Sequence, residues 1–327
     1  VEETVGQLGE ADVLRRILRR LGPSAAEVGP GDDAAVLAVP GGRVVATTDT
    51  LVHGPDFRLA WSSGYDLGWK SAAVNLADIA AMGARPTALL VALTMPDATP
   101  AAFVEALADG LRDACASLAP GCAVEGGDLA ASDTLTVAVT ALGVLDGPPV
   151  LRSGAHAGDV VALAGDAGVA AHGLQLLFER FRDGAGTPVP VTPDALAQLT
   201  GDERTALGRQ LRPHPPIALG PAAAAAGATA MMDVSDGLVL DASRLAAASG
   251  VTLAVDAAPF TGRPLAFTGG EDHALLATFP PDAALPGGFR RIGEVRSAGA
   301  DAVLVDGRPH PGRGGWDPYS DWDAARG

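Results

Sequence analysis

Along residues 64–86, "GYDLGWKSAAVNLADIAAMGARP", Leu67, Ala73/Val74, Ala77/Asp78 and Ala81 recur every three to four positions. That spacing predicts a helix, with Gly83 as its C-terminal stop. The same spacing in "EADVLRRILRRLG" (10–22) predicts a helix ended by Gly22-Pro23. Between them, "PGDDAAVLAVPGGRVVATTDTLV" (30–52) reads as two short strands around a turn at Pro40-Gly41-Gly42. A strand over 87–96, a helix over 99–119 and a strand over 134–145 follow. Proline and glycine then cluster in "DGPPVLRSGAHAGD" (146–159). The alternation restarts with a strand at 159–164, a helix at 169–182, a polar Pro- and Gly-rich stretch at 183–204 and a helix near 216–226. "ATAMMDV", a helix at 236–249, the strand "VTLAVD" and short pieces around "GGEDHALLATF" and "FRRIGEV" complete the pattern.

Strands alternating with helices predict an α/β protein, and the break near residue 150 predicts two domains, 1–150 and 151–327. A chain of 327 residues with 48% hydrophobic residues can fill such cores. Its longest apolar runs are too short to cross a bilayer, so no membrane association is expected. The acidic, amphipathic start "VEETVGQLGEADVLRR" lacks a signal-peptide pattern, and a cytoplasmic location is expected. Cys115 and Cys122 match no metal or redox spacing and read as structural thiols. A net charge of −16 excludes a broad nucleic-acid footprint. Lys70 is the only lysine, with neither a Walker loop nor a kinase "VAIK" around it.

Five stretches bring aspartate beside glycine or a helix start: "GDDAAV" (Asp32, Asp33), "TTDTLV" (Asp49), "NLADIAAMGA" (Asp78), "GGDLA" (Asp128) and "DVSDGL" (Asp233, Asp236). Any one of them suits a cap or a turn. Asp78 does not, because it sits mid-helix among Ala, Leu and Ile, where an unpaired carboxylate is costly. An arginine or a hard divalent ion would satisfy it. Several carboxylates together suit Mg²⁺ carrying a polyphosphate.

The stretches "GDDAAVL", "TTDTLVHGPDF", "VNLADIAAMGARP", "GGDL", "LRSGAHAGD", "DVSDGL", "GGEDHAL", "RIGEV" and "WDPYSDW" stand in the order and spacing of the thiamine-monophosphate kinases. The chain resembles that family over nearly its whole length. The family is similar to aminoimidazole ribonucleotide synthetase, and the resemblance implies the two-domain fold of that superfamily. It implies a sheet in the N-terminal half that pairs across a homodimer and a C-terminal α/β domain that completes the cleft. The implied reaction is direct transfer of the γ-phosphoryl group of ATP to thiamine monophosphate, with several Mg²⁺ ions. By the same resemblance the metal set is Asp33, Thr47, Thr48, Asp49, Asp78, Asp128, Asp233 and Asp236. ATP contacts fall on Gly127, Asp128, Arg152 and Ser235, and substrate contacts on Asp56, Glu271 and Trp322. No residue beyond the metal ligands is implied as catalytic.

The chain departs from the family pattern at Asp56, where histidine is usual, at "GGEDH" in place of "GGEDY", and at "GGDL" in place of "GGDT". Asp56 would repel a substrate phosphate unless metal or water intervened. Two other readings stand beside this one. Another ATP-dependent enzyme of the superfamily is one, although a selenophosphate synthetase would carry an N-terminal reactive cysteine and the hydrogenase maturation protein a terminal one, neither seen here. A non-catalytic protein binding metal and nucleotide is the other.

Overall fold

A computed structural model describes residues 27–28, 32–33, 35–39, 42–317 and 321. The helix expected over residues 10–22 and Trp322 lie outside them. The first sheet holds β1 (Ala35–Val39), β2 (Gly42–Val52), β3 (Arg85–Met95), β4 (Ala123–Ala131) and β5 (Thr136–Val144) in the order β1-β2-β5-β3-β4. Neighbours are antiparallel except β3 and β4. In β5 every second residue is buried, Val137, Val139 and Ala141 among them, so one face packs inward.

Helix α1 (Gly64–Ala81) covers that face, and α2 (Ala101–Leu118) packs on α1 and carries the chain from β3 to the parallel β4. Ser63 and Asp66 form a capping box at the start of α1, and Gly83, at φ +74°, ends the turn beyond it. Leu67, Leu76 and Ile79 are fully buried, each contributing about 1.5–3 kcal/mol. Gly64 and Gly68 let α1 approach α2 closely, since a Cβ would lie 2.1 Å from the Phe103 carbonyl oxygen and 2.0 Å from that of Leu107.

The second sheet holds seven strands: β6 (Val160–Ala164), β7 (Ala230–Val234), β8 (Val251–Val255), β9 (Ala274–Phe279), β10 (Phe289–Ser297), β11 (Val303–Val305) and β12 (Arg308–Pro309). Their order is β12-β11-β8-β10-β6-β9-β7, antiparallel except β8 with β11. Strands β6, β7 and β9 are buried along their whole length, which is why they read as unbroken apolar runs. Among the described residues, five α-helices accompany this sheet: α3 (Val169–Arg180), α4 (Pro193–Ala197), α5 (Gly201–Leu211), α6 (Leu219–Ala225) and α7 (Leu238–Ser249). The fold is thus the mixed α/β type expected.

Helix α1 also touches the second half, through α5, α6, β7 and β9. A Cβ on Gly220 would lie 2.1 Å from the Ala80 carbonyl oxygen, and Trp69 Nε1 donates to the Pro213 carbonyl at 2.8 Å. This contact brings α1 to the end of β7, where the chemistry gathers. Two elements differ from the sequence pattern. Residues 123–131 form β4 although all nine are exposed, and α4 and α5 begin inside the stretch read as irregular. Among the described residues no helix is long and apolar enough to cross a membrane.

Candidate functional site

The pleat of β2 sends successive side chains to opposite faces. Thr47 points toward α1, where its hydroxyl donates to Asp78 Oδ2 at 2.8 Å, and the Asp49 amide donates to Asn75 Oδ1 at 3.1 Å. Asp78 is met from the other half by Asp233 at the end of β7 and from the N-terminal side by Asp33. Oxygens of these three carboxylates lie within 4.8 Å of one another. Burial pushes the Asp78 carboxyl well above the usual range, with Asp233, Asp49 and Asp33 adding repulsion. Asp33 is raised likewise by burial, against the attraction of Arg152. Asp49 is raised by burial too, while His273 draws it down. These are hard oxygen donors at the distance a small divalent cation spans, and a cation there would reverse each of those penalties.

Three further side chains hold the carboxylates in place. Arg152 engages both oxygens of Asp33 through Nη2 and Nε, and its amide donates to Asp32 Oδ2 at 2.9 Å. His273 Nδ1 lies 3.0 Å from Asp233 Oδ2. Arg244 Nη1 donates to Asp236 Oδ2 at 2.6 Å and to Asp241 Oδ1 at 2.7 Å. Asp241 is fully buried, and its other oxygen accepts the amides of Asp236 and Gly237 at 3.0 and 3.1 Å. Helix α7 starts at Leu238 without a side-chain cap. Burial pushes the Asp241 carboxyl up to about 7, with Asp236 adding to it and Arg244 opposing.

Beside this junction lies a cleft of about 690 Å³ whose lining includes the polar Asp56, Lys70, Ser235, Asp236 and Glu271 and the apolar Phe178. Glu271 follows Gly270, whose added Cβ would lie 2.2 Å from the Ser235 carbonyl oxygen. Glu271 itself sits at φ +72° and His273 at φ +51°, left-handed backbone that non-glycine residues seldom adopt. The amides of both donate to the end of β7, Glu271 to Ser235 at 2.7 Å and His273 to Val234 at 3.0 Å, and this fixes the loop. Lys70 Nζ, buried, pairs with Glu271 Oε2 at 2.5 Å. Burial alone would raise Glu271, but Lys70, His273 and Gln210 together hold the carboxyl below its usual range. With its amide turned to suit its neighbours, Gln210 also accepts from Lys70 Nζ at 3.2 Å.

The structure thus gathers Asp33, Thr47, Asp78, Asp233 and Arg152, sets Asp49 and Asp236 close by, and puts Asp56, Ser235 and Glu271 on the cleft wall. Asp56 Oδ2 accepts the Val52 amide at 2.7 Å, so that carboxylate closes its own turn. Thr48 and Asp128 stand apart. The Thr48 hydroxyl donates to the Val139 carbonyl at 3.0 Å and lies near Thr140 on the far face of the sheet. Asp128 pairs with Ala92, which alternates with the buried Val91 and Leu93, so it lies on that far face as well. Gly127 faces inward, where its added Cβ would lie 2.0 Å from the Val91 carbonyl oxygen, so it serves close strand pairing. Residue patterning passed over Lys70, Asp241, Arg244 and His273 as site residues. A lone lysine and an Asp–Arg pair three apart on a helix were the signals available.

Residues 31–145 match the family model for AIR synthase related protein, N-terminal domain. A thiamine-monophosphate kinase of Mycobacterium tuberculosis is 41% identical, aligned over 98% of this chain and 94% of its own length. That of Corynebacterium glutamicum is 38% identical over 96% and 94%. Among solved structures, AaThiL complexed with AMPPCP and TMP superposes with a TM-score of 0.82 at 29% identity, covering 97% of this chain and 99% of that one. The order of motifs, the fold and these relatives agree, and the chain belongs to the thiamine-monophosphate kinase family.

Proposed function

We propose that this chain transfers the γ-phosphoryl group of ATP to the phosphate of thiamine monophosphate, giving thiamine diphosphate and ADP, the last step in making that diphosphate. The observation that carries this reading is the placing of three carboxylates, the partly buried Asp33 and Asp78 and the buried Asp233, next to a cleft lined by Asp56, Ser235, Asp236 and Glu271. The acceptor is a phosphate oxygen, already ionised near neutral pH, so no general base is required. Positioning and charge neutralisation then carry the catalysis.

Asp33, Asp78 and Asp233, with Asp49 and Asp236 beside them, would hold Mg²⁺, whose bound charge would neutralise the phosphates of ATP. We assign Ser235, on the cleft wall, and Arg152, bound to Asp33, to the nucleotide phosphates, and Glu271 to the cationic thiazolium as an anionic wall. Lys70 keeps Glu271 ionised and aimed. We extend the reading to a homodimer in the cytoplasm, with residues 1–150 forming the metal, ATP and dimer domain and 151–327 completing the cleft. Exposed Leu90, on the face of the first sheet turned away from α1, supports the dimer, since a second copy would cover it. Thr48 and Asp128 lie on the far face of this sheet and enter the metal set only if that pairing brings them to a site.

The test is incubation with ATP, MgCl₂ and thiamine monophosphate, with and without EDTA, and chromatography of the thiamine species. Magnesium-dependent thiamine diphosphate is the expected product. Nucleotide binding with no diphosphate formed would overturn the substrate assignment.

A further inference from the structure

Three of the carboxylates at the junction each give one oxygen to a protein donor. Thr47 Oγ1 binds Asp78 Oδ2 at 2.8 Å, His273 Nδ1 faces Asp233 Oδ2 at 3.0 Å, and Arg244 Nη1 binds Asp236 Oδ2 at 2.6 Å. These donors come from three different elements, and each is itself fixed. Thr47 stands within β2. His273 is held by its amide bond to Val234. Arg244 is anchored by Asp241, whose second oxygen is taken by two backbone amides. An imidazole nitrogen facing a carboxylate oxygen carries the proton, so all three act as donors.

A carboxylate chelates a cation through both oxygens only when both have lone pairs free for it. An oxygen that already accepts a hydrogen bond, above all from a guanidinium, is the poorer ligand. Ca²⁺ readily takes carboxylates in the bidentate mode within a loose shell of six to eight oxygens, whereas Mg²⁺ demands near-octahedral single oxygens. We infer that Thr47, His273 and Arg244 are positioning residues that restrict Asp78, Asp233 and Asp236 to one-oxygen ligation and so set a preference for Mg²⁺ over Ca²⁺. The inference rests on reading this junction as the metal site of the proposed kinase. It gives Thr47 a part distinct from supplying a ligand, and gives parts to Arg244 and His273, to which the sequence motifs assigned none.

The test uses the full chain and Mn²⁺ as probe, with bound Mn²⁺ followed by its paramagnetic resonance while Mg²⁺ or Ca²⁺ is added in competition. The readout is the ratio of the Ca²⁺ and Mg²⁺ concentrations that displace half the Mn²⁺. Wild-type protein should need more Ca²⁺ than Mg²⁺. Thr47→Val and Arg244→Gln should each move the ratio toward Ca²⁺ by about tenfold, and Thr47→Ser, which keeps the hydroxyl, should stay within about twofold of wild type. An unshifted ratio in both Thr47→Val and Arg244→Gln overturns the inference alone. Wild-type protein that binds no Mn²⁺ overturns the metal site beneath it as well.

Discussion

Asp78→Asn should stabilise the metal-free protein while abolishing its activity. The Asp78 carboxylate is partly buried, accepts the Thr47 hydroxyl at 2.8 Å, and has its oxygens within 4.8 Å of those of Asp33 and Asp233. At an effective dielectric of about 20, two like charges at that distance repel by about 3 kcal/mol. Arg152, bound to Asp33, offsets roughly one of the two neighbours, so one such repulsion is the upper bound for what the amide relieves. Asparagine keeps an acceptor for Thr47 and offers a donor to the remaining carboxylates. A gain of about 1–3 kcal/mol in EDTA would raise the melting temperature by roughly 2–5 °C. Added Mg²⁺ should stabilise wild type more than the variant, because ligand binding to the folded state adds directly to its stability. Turnover should fall by about 10³-fold, in line with the several kcal/mol of charge stabilisation that a bound metal supplies. The assays are thermal unfolding with and without Mg²⁺ and thiamine diphosphate formation. A variant that melts below wild type in EDTA, or that keeps more than a tenth of the activity, would refute the reasoning.

Gly270→Ala places a Cβ 2.2 Å from the Ser235 carbonyl, so the loop must move by about 1 Å; kcat/KM should fall about 10²-fold, and kinetics within threefold of wild type would contradict the close-approach argument. Lys70→Met leaves Glu271 without its cation, and kcat/KM for thiamine monophosphate should drop roughly 10–100-fold with the KM for ATP little changed; equal losses for both substrates would remove Lys70 from the thiamine side. Burial pushes Asp241 up to about 7 and Asp272 up to about 6, from about 4 in the unfolded chain. The folded state therefore binds more protons than the unfolded one between about pH 4 and 7, and these two groups make the metal-free protein less stable as pH rises through that window. Denaturant midpoints in EDTA should be higher at pH 5.5 than at 7.5, and Asp241→Asn should flatten the trend. A steeper trend in that variant would mean that other groups dominate.

Much of this was legible because α1 is apolar on nearly every side, so its spacing, its glycine stop and the oddity of Asp78 could all be read from one stretch. Strand β4 could not, since nine exposed residues leave no alternation to detect. Period-two alternation does imply that Thr47 and Thr48 face opposite ways, yet a motif read as a block hides it. The Lys70–Glu271 pair spans 201 positions and depends on α1 meeting the second half, which no local pattern encodes. Asp241 and Arg244 are the reverse case. Their spacing was in view, but a buried anchor and a metal ligand look alike until the backbone amides around Gly237 are placed.

The placing of the cations explains why so acidic a chain concentrates more acid here. Lys70 is engaged by Glu271, Arg152 by Asp33 and Asp32, and Arg244 by Asp236 and Asp241. Asp49, Asp78 and Asp233 add negative charge beyond that balance. His273, held above its usual range by Asp233 and Glu271 against the effect of burial, returns at most one positive charge. With these carboxylates ionised the junction is net negative and repels a nucleotide's phosphates unless divalent ions enter with them. ATP affinity should accordingly fall by at least about tenfold, or 1.4 kcal/mol, when Mg²⁺ is replaced by EDTA at constant ionic strength. Asp78→Asn, with one charge fewer, should narrow that gap by weakening binding in Mg²⁺ and strengthening it in EDTA. Calorimetric titration with a non-hydrolysable ATP analogue measures both, and equal affinity with and without Mg²⁺ in wild-type protein would show that the arginines alone hold the phosphates.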